Sequence, residues 1–341
     1  MRFEFYTEAL ADQPKLSVDG LVENSIHFSH WSGNQTNALI KADTSTGIAL
    51  NVVESRKLDE LTQGIELITN NHFDTDGLLS VWVMLTGTPA LEIKNELIAA
   101  AEAGDFSEFP STNAVRASIV IQGSDYSVPE EGVSSPLAFS LNGGKAVDKA
   151  RAYELLLPKV ADIITNVAHY EALWREDWDR IEAALNSFEM GSSRVTEYNE
   201  SGLSLIRMDS TIYSDSEFKP TRHLAPYTAV AQNAKGRFFL IAAESKAGWS
   251  YRADYPYYSW AETVVRPRIP RYDFTDLIGS LNRLELEKAK ARISAGTWIA
   301  DGAGLTSAVK FDSGNGATSG SCLDPFIVAG LFNEELIRHS K

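Results

Sequence analysis

The chain has 341 residues, 44% of them apolar and 23% charged, with a formal charge of −15 and one cysteine. That composition is ordinary for a folded globular protein of two domains, and no run of about 18 apolar residues reads as a membrane helix. The acid excess disfavours a large nucleic-acid surface, and a single cysteine, Cys322, excludes an intrachain disulfide and multi-cysteine zinc sites.

In chain order, residues 1–20 read as irregular, and the opening "MRFEFYTEALADQPK" is too polar for a secretory signal. A cytoplasmic location is therefore expected. "SIHFSHW" (25–31) reads as a short strand running into a turn. "ADTSTGIALNVVES" (42–55) starts with residues suited to an N-cap and continues as an apolar run whose periodicity fits either helix or strand. "GIELITNN" (64–71) is strand-like, "GLLSVWVML" (77–85) reads as a buried helix, and "ALEIKNELIAAAEAGDF" (90–106) is rich in helix formers. "VRASIVIQ" (115–122) reads as a further strand. Alternation of strands and helices predicts an α/β domain with a mainly parallel sheet flanked by helices.

Residues 123–145 read as a long Ser/Gly/Pro loop, and 146–189 as helical with a kink or a new helix at Pro158. Two hairpins are expected beyond Gly191, in 193–209 and in "GRFFLIAAESKAGWSYRADY", the second turning at Lys246–Gly248. A helix over 273–294, short strands, a Gly/Ser loop at 312–321 and a terminal helix complete a smaller α+β domain. The expected division is 1–190 and 191–341.

"NNHFDTDGLLSVW" (70–82) carries the chemistry. His72, Asp74 and Asp76 alternate, so at a strand end they crowd one face. Two carboxylates and an imidazole that close repel or share protons unless a cation sits among them. The same Asp-x-Asp-Gly string is also ordinary turn and cap chemistry.

The segment resembles the first metal motif of the DHH phosphoesterase superfamily, with His72, Asp74, Asp76, Gly77 and Ser80 in place. The Asp-His-His triplet of that family is absent. Upstream, "SIHFSHWSGNQTNALIKADTST" resembles its third motif, with Ser29, His30 and Trp31 where Asp, His and His would stand, and with Asn34 and 43–46 matching the sequel. The order is reversed, as in a circular permutation. The resemblance covers roughly 24–125. It implies a DHH-like fold and metal ligands His72, Asp74, Asp76 and His30, with a bridging aspartate at Asp105, Asp125 in reserve and His27 as a helper. It also implies Mn²⁺ or Mg²⁺, with room for two ions, and catalysis carried by Asp74, Asp76 and His30. The whole chain also looks like an uncharacterised bacterial family.

A second cluster, "YRADYPYYSWAETVVRPRIPRYDF" (251–274), sets Arg252, Arg266, Arg268 and Arg271 among aromatics. Guanidinium forks bind phosphate and aromatic faces stack on bases, so these are the expected substrate-binding residues; pairing with nearby acids is the structural reading. Arg222–His223 is a lesser candidate. Together these features lead to the expectation of a metal-dependent phosphoesterase or phosphohydrolase. Its partner would be a phosphate-containing small molecule, nucleotide or short oligonucleotide, without a membrane, and a homodimer is compatible with it. The alternative is a catalytically degenerate relative that binds a nucleotide or metal as a regulatory or assembly subunit.

Overall fold

The computed structural model describes residues 1–124, 132–210, 227–245, 248–289, 296–302, 305–313 and 320–339. The chain is mixed α/β and divides into two compact units, 1–178 with 260–268, and 179–259 with 269–341. This division differs from the expected 1–190 and 191–341. The long helix Glu171–Glu189 runs through the first boundary, and the nine residues 260–268 pack with the first unit although their neighbours in sequence belong to the second.

The first unit contains a four-stranded parallel sheet of β1 (Arg2–Phe3), β2 (Lys15–Val18), β3 (Ser25–Phe28) and β4 (Leu67–Thr69), in the order β1-β4-β2-β3. Residues 1–20, expected to be irregular, supply two of these strands. β2 sits between β4 and β3, with Leu16 opposite both Ile68 and Ile26, and all four of its residues are buried. That double-sided burial is what a central parallel strand requires, and it leaves no polar–apolar alternation to read in the sequence.

Among the described residues this unit also contains the helices α1 (Ser45–Ser55), α2 (Leu58–Thr62), α3 (Thr75–Thr86), α4 (Lys94–Asp105), α5 (Thr112–Gln122), α6 (Pro136–Leu141), α7 (Lys149–Leu156) and α8 (Val160–Thr165). The ambiguous run 42–55 is therefore helical: Thr44 caps it, accepting the Gly47 N–H at 3.1 Å. The expected strand at 115–122 is instead α5. Ser111 caps it, and Ala114, Val115 and 117–121 are buried. A helix buried on most sides carries the same β-branched content as a buried strand, which explains the misreading. Within the expected loop 123–145 lies α6. Pro158 sits in a short 3-10 turn between α7 and α8.

The second unit holds a mixed six-stranded sheet of β5 (Arg194–Tyr198), β6 (Leu203–Met208), β7 (Phe238–Ser245), β8 (Gly248–Asp254), β9 (Thr297–Ala300) and β10 (Ser307–Asp312), in the order β5-β6-β7-β8-β10-β9. β5–β6 and β7–β8 are the two expected hairpins. β6 and β7 run parallel and alternate cleanly. Phe238, Leu240 and Ala242 join one core with Phe274, Leu281 and Phe332; Phe239, Ile241 and Ala243 join the other with Ala184 and Ala229. Among the described residues no helix is long and apolar enough to cross a membrane.

Candidate metal centre

The carboxyl ends of β2, β3 and β4 lie side by side, and each strand leads straight into a candidate ligand. β2 leads into Asp19, β3 into Ser29 and His30, and β4 into Asn70, His72 and the start of α3. Crevices at the carboxyl ends of parallel strands are where open α/β sheets gather ligands. Asp105, the last residue of α4, completes the group.

Two sets of ligand atoms result, Asp19–His30–Asp76 and Asp19–His72–Asp74, each with its atoms within 4.8 Å of one another. Asp19 belongs to both. His30 Nε2 lies 3.6 Å from Asp19 Oδ1, 3.6 Å from Asp76 Oδ2 and 3.2 Å from Asp105 Oδ2. His72 Nε2 lies 2.7 Å from Asp19 Oδ2 and 3.1 Å from Asp74 Oδ2.

Each imidazole is oriented by its other nitrogen. His30 Nδ1 is 2.6 Å from the Asp43 carbonyl and His72 Nδ1 is 3.1 Å from Asn71 Oδ1. With Nδ1–H donating to those oxygens, Nε2 is left able to serve as a ligand nitrogen, the arrangement that metal-binding histidines use. Four buried atoms, Asp19 Oδ2, His30 Nε2, His72 Nε2 and Asp105 Oδ2, have no hydrogen-bond partner. The contacts they make are the charge contacts within the cluster given above. Orphaned buried polar atoms are rare, and four that converge need an explanation.

The two aspartates of the motif divide their oxygens. Asp74 Oδ1 caps α3 by accepting the Gly77 N–H at 2.7 Å, while Oδ2 faces His72. The capping reading of Asp-x-Asp-Gly therefore holds, and it leaves Asp74 Oδ2 outside the cap. Asp76 is fully buried, and its oxygens accept the Ser45 and Thr46 N–H groups, each at 2.7 Å, at the start of α1. Those first-turn donors have no partner within the helix, and they favour a negative charge there.

Burial and mutual repulsion distort the titration of the group. Burial, reinforced by the Asp19 charge, pushes Asp76 up to about 8. Burial lifts Asp105 to about 6 against the pull of His30. Burial opposes protonation of both imidazoles, but the carboxylates win. Asp105, Asp76 and Asp19 raise His30 to about 10, and Asp74 and Asp19 raise His72 to about 11. Burial also works against the Asp19 charge, yet His72 and His30 hold its carboxyl below the usual range. Without a cation, then, the cluster holds protons that a cation would displace.

Close packing supports the centre. Asp19 adopts φ 71°, a left-handed conformation that Asp tolerates better than most residues. A Cβ on Gly77 would lie 2.7 Å from Asn70 Nδ2, 2.8 Å from the Tyr153 hydroxyl and 3.0 Å from Asp19 Oδ2. Asn70 Nδ2 donates to the buried Tyr153 hydroxyl at 2.9 Å, which in turn donates to the His72 carbonyl at 3.2 Å.

All five expected ligands, His30, His72, Asp74, Asp76 and Asp105, thus meet in one cluster. Asp19 was not foreseen. Its signal was present in "KLSVDG", a short apolar run closed by Asp-Gly, the same punctuation as "HFDTDG". His27 takes no part, since its Nδ1 accepts the Gln35 N–H at 3.2 Å. Ser29 donates its hydroxyl to the Asp19 carbonyl and Trp31 packs its ring 4.9 Å from that of His72. Asp125 and Arg222–His223 lie outside the described residues, as do Lys246 of the second hairpin turn and 314–319 of the Gly/Ser loop.

The arginines separate. Arg266, in the first unit, spends Nε on Glu108, Nη1 on Asp43 and Nη2 on Glu102 and Glu108, at 2.5–2.8 Å. Arg268 is exposed. Arg252 and Arg271 belong to the second unit. Arg252 pairs with buried Asp254 at 2.6 Å and with Ser307, and Arg271 lies over the Tyr255 ring and donates to the Leu305 carbonyl.

A parallel sheet with acid- and histidine-bearing strand ends defines a mixed α/β protein with a cluster of acids and histidines that could hold a metal ion. By comparison with family models, the chain belongs to a family of unknown function (DUF6687), which matches residues 1–315. No curated protein and no solved structure matches it.

Proposed function

We propose that the first unit holds a divalent-metal centre, and that the protein is a metal-dependent phosphoesterase or phosphohydrolase related to the DHH superfamily by a permuted strand order. The observation that carries this reading is the convergence of four buried atoms without hydrogen-bond partners, two on the imidazoles of His30 and His72, whose second nitrogens are already engaged, and two on the carboxylates of Asp19 and Asp105. Asp19, His30 and Asp76, with Asp105 beside them, would hold one ion, and Asp19, His72 and Asp74 a second. Carboxylate-rich sites with a few imidazoles suit Mn²⁺ or Mg²⁺. Cations bound there lower the pKa of water and neutralise charge on phosphoryl oxygens.

The side chains have separable tasks in this reading. Asp76 is clamped on the N-terminus of α1, so it is preorganised as a ligand and does not swing. Ser45 Oγ donates to Asp19 Oδ1 at 2.9 Å, which leaves Oδ2 directed at His72. Trp31 takes the place of a second imidazole and shields His72 on one face. Asp19, coming from β2, would supply the carboxylate that Ser29 lacks.

Trp31, which offers no ligand atom for these ions, and Ser29, which lacks a carboxylate and spends its hydroxyl on the Asp19 carbonyl, favour the second reading, a degenerate relative that binds metal or a nucleotide without turnover. One protocol separates the readings. Protein purified without chelator is assayed for Mn and Mg content, then for Mn²⁺-supported hydrolysis of bis-p-nitrophenyl phosphate against Asp76→Asn. Bound metal with wild-type-specific hydrolysis supports the enzyme, bound metal without hydrolysis the degenerate relative. Absence of metal binding refutes the enzyme and the metal-binding form of the degenerate relative.

A further inference from the structure

Residues 260–268 form a strap over His30, and several of their contacts converge on that residue or on Asp43, which orients its ring. The Glu262 N–H donates to the His30 carbonyl at 2.7 Å. The Trp260 ring meets the His30 ring edge-on, 5.1 Å between centroids. The Glu262 carboxylate fastens the strap to the loop after β3 through the Gly33 N–H at 3.0 Å, Asn34 Nδ2 at 2.8 Å and Lys41 at 3.3 Å.

The strongest grip is on Asp43. Its carbonyl accepts His30 Nδ1–H, and its carboxylate accepts the N–H groups of Val264, Val265 and Arg266 as well as the Arg266 guanidinium at 2.7 Å. Burial works against that carboxylate, but these donors hold it below the usual range. The same guanidinium reaches Glu102 on α4 and Glu108 just beyond it, bracketing Asp105, and it lies 4.9 Å above the Phe106 ring. Phe106 in turn packs 5.8 Å from the His30 ring. One side chain therefore ties together Asp43, whose carbonyl orients His30, and the helix end that carries Asp105.

We propose that Arg266 is a positioning residue for the metal centre, fixing the His30 imidazole through Asp43 so that Nε2 faces Asp19, Asp76 and Asp105. This inference rests on the metal-centre reading above. It replaces a phosphate hook as the role of Arg266, because the donors that a phosphate would need are spent on three carboxylates. Partners of this kind set the orientation of ligating histidines, and their loss typically weakens metal binding by about 10–100-fold.

The test is a double-mutant cycle read by calorimetric titration of chelator-stripped protein with Mn²⁺ alone. Wild type, Arg266→Ala, His30→Ala and the double variant are compared, with circular dichroism as the check on folding. Arg266→Ala is expected to weaken Mn²⁺ binding about 10–100-fold in the wild-type background. In the His30→Ala background it is expected to change binding by no more than about 2-fold, the scatter of independent sites. Arg266→Lys, which keeps one charged donor for Asp43, should recover part of the loss and serves in place of Arg266→Ala if that variant fails to fold. Equal losses in both backgrounds would show a general packing defect and overturn the proposal. Wild-type affinity in Arg266→Ala would overturn it and leave the metal centre standing. Absence of Mn²⁺ binding by the wild type would overturn both.

Discussion

Replacing Asp19 by Asn removes a ligand oxygen from both sets at once while disturbing the fold little. Asn tolerates the left-handed backbone at this position as Asp does, and its amide oxygen can keep the Ser45 hydroxyl bond. Stripping one partner from a buried charge pair costs roughly 3–5 kcal/mol when nothing replaces it. Here Asp74 remains 3.1 Å from His72, so the metal-free loss should fall below that range. The metal-dependent term is larger and has a definite sign. At Mn²⁺ of 100 times the wild-type Kd, one bound ion stabilises the protein by about 2.7 kcal/mol. If the variant binds about 100-fold more weakly, the same concentration contributes about 0.4 kcal/mol, a difference of about 2.3 kcal/mol per ion. For a unit of this size that is roughly 5–9 °C in the Mn²⁺-induced shift of Tm. Scanning calorimetry of both proteins, in EDTA and in Mn²⁺, reads it directly. The same Mn²⁺-induced shift in Asp19→Asn and wild type would refute the placing of Asp19 at the centre.

Three further outcomes follow from the geometry. Asp74→Asn should keep the α3 cap, because Asn caps as well as Asp, so its Tm in EDTA should stay near wild type while Mn²⁺ binding falls; Asp74→Ala should lose about 1 kcal/mol more in EDTA. Gly77→Ala should cost about 1–3 kcal/mol by denaturant titration, because its methyl would press on Asn70, Tyr153 and Asp19; a neutral effect would mean the strand ends are looser than described. The last outcome concerns pH. His30 and His72 are raised above their usual value, so their contribution to stability is complete below about pH 6.5 and fades as pH climbs toward about 10 and 11. Asp76, raised to about 8, also binds its proton more tightly in the folded state and loses stability as pH rises from about 4 to 8. Metal must displace these protons, so the Mn²⁺-induced rise in Tm should be larger at pH 9 than at pH 6, and a pH-independent rise would contradict the cluster's electrostatics.

What the sequence determined by itself was local. Alternation followed by Asp-Gly placed His72, Asp74 and Asp76 at a strand end, because strand periodicity and cap chemistry act over a few residues. The β5–β6 and β7–β8 hairpins, helix α4 and the helix Thr275–Lys288 were legible for the same reason. Asp19 was not, since β2 is four residues long and buried on both faces, and its strand character comes from β3 and β4 on either side. Nor was α5, whose Val and Ile content suits any buried element until Ser111 is seen capping it. The arginine cluster of 252–271 looked like one surface because its members are adjacent in sequence. Tertiary structure assigned 260–268 to the first unit and wrapped Arg266 in Asp43, Glu102 and Glu108, up to 223 residues away in the chain. Sequence proximity carries turns and caps. Which carboxylates a guanidinium meets, and whether four ligand atoms converge, is decided only when distant strand ends are brought to one edge of a sheet.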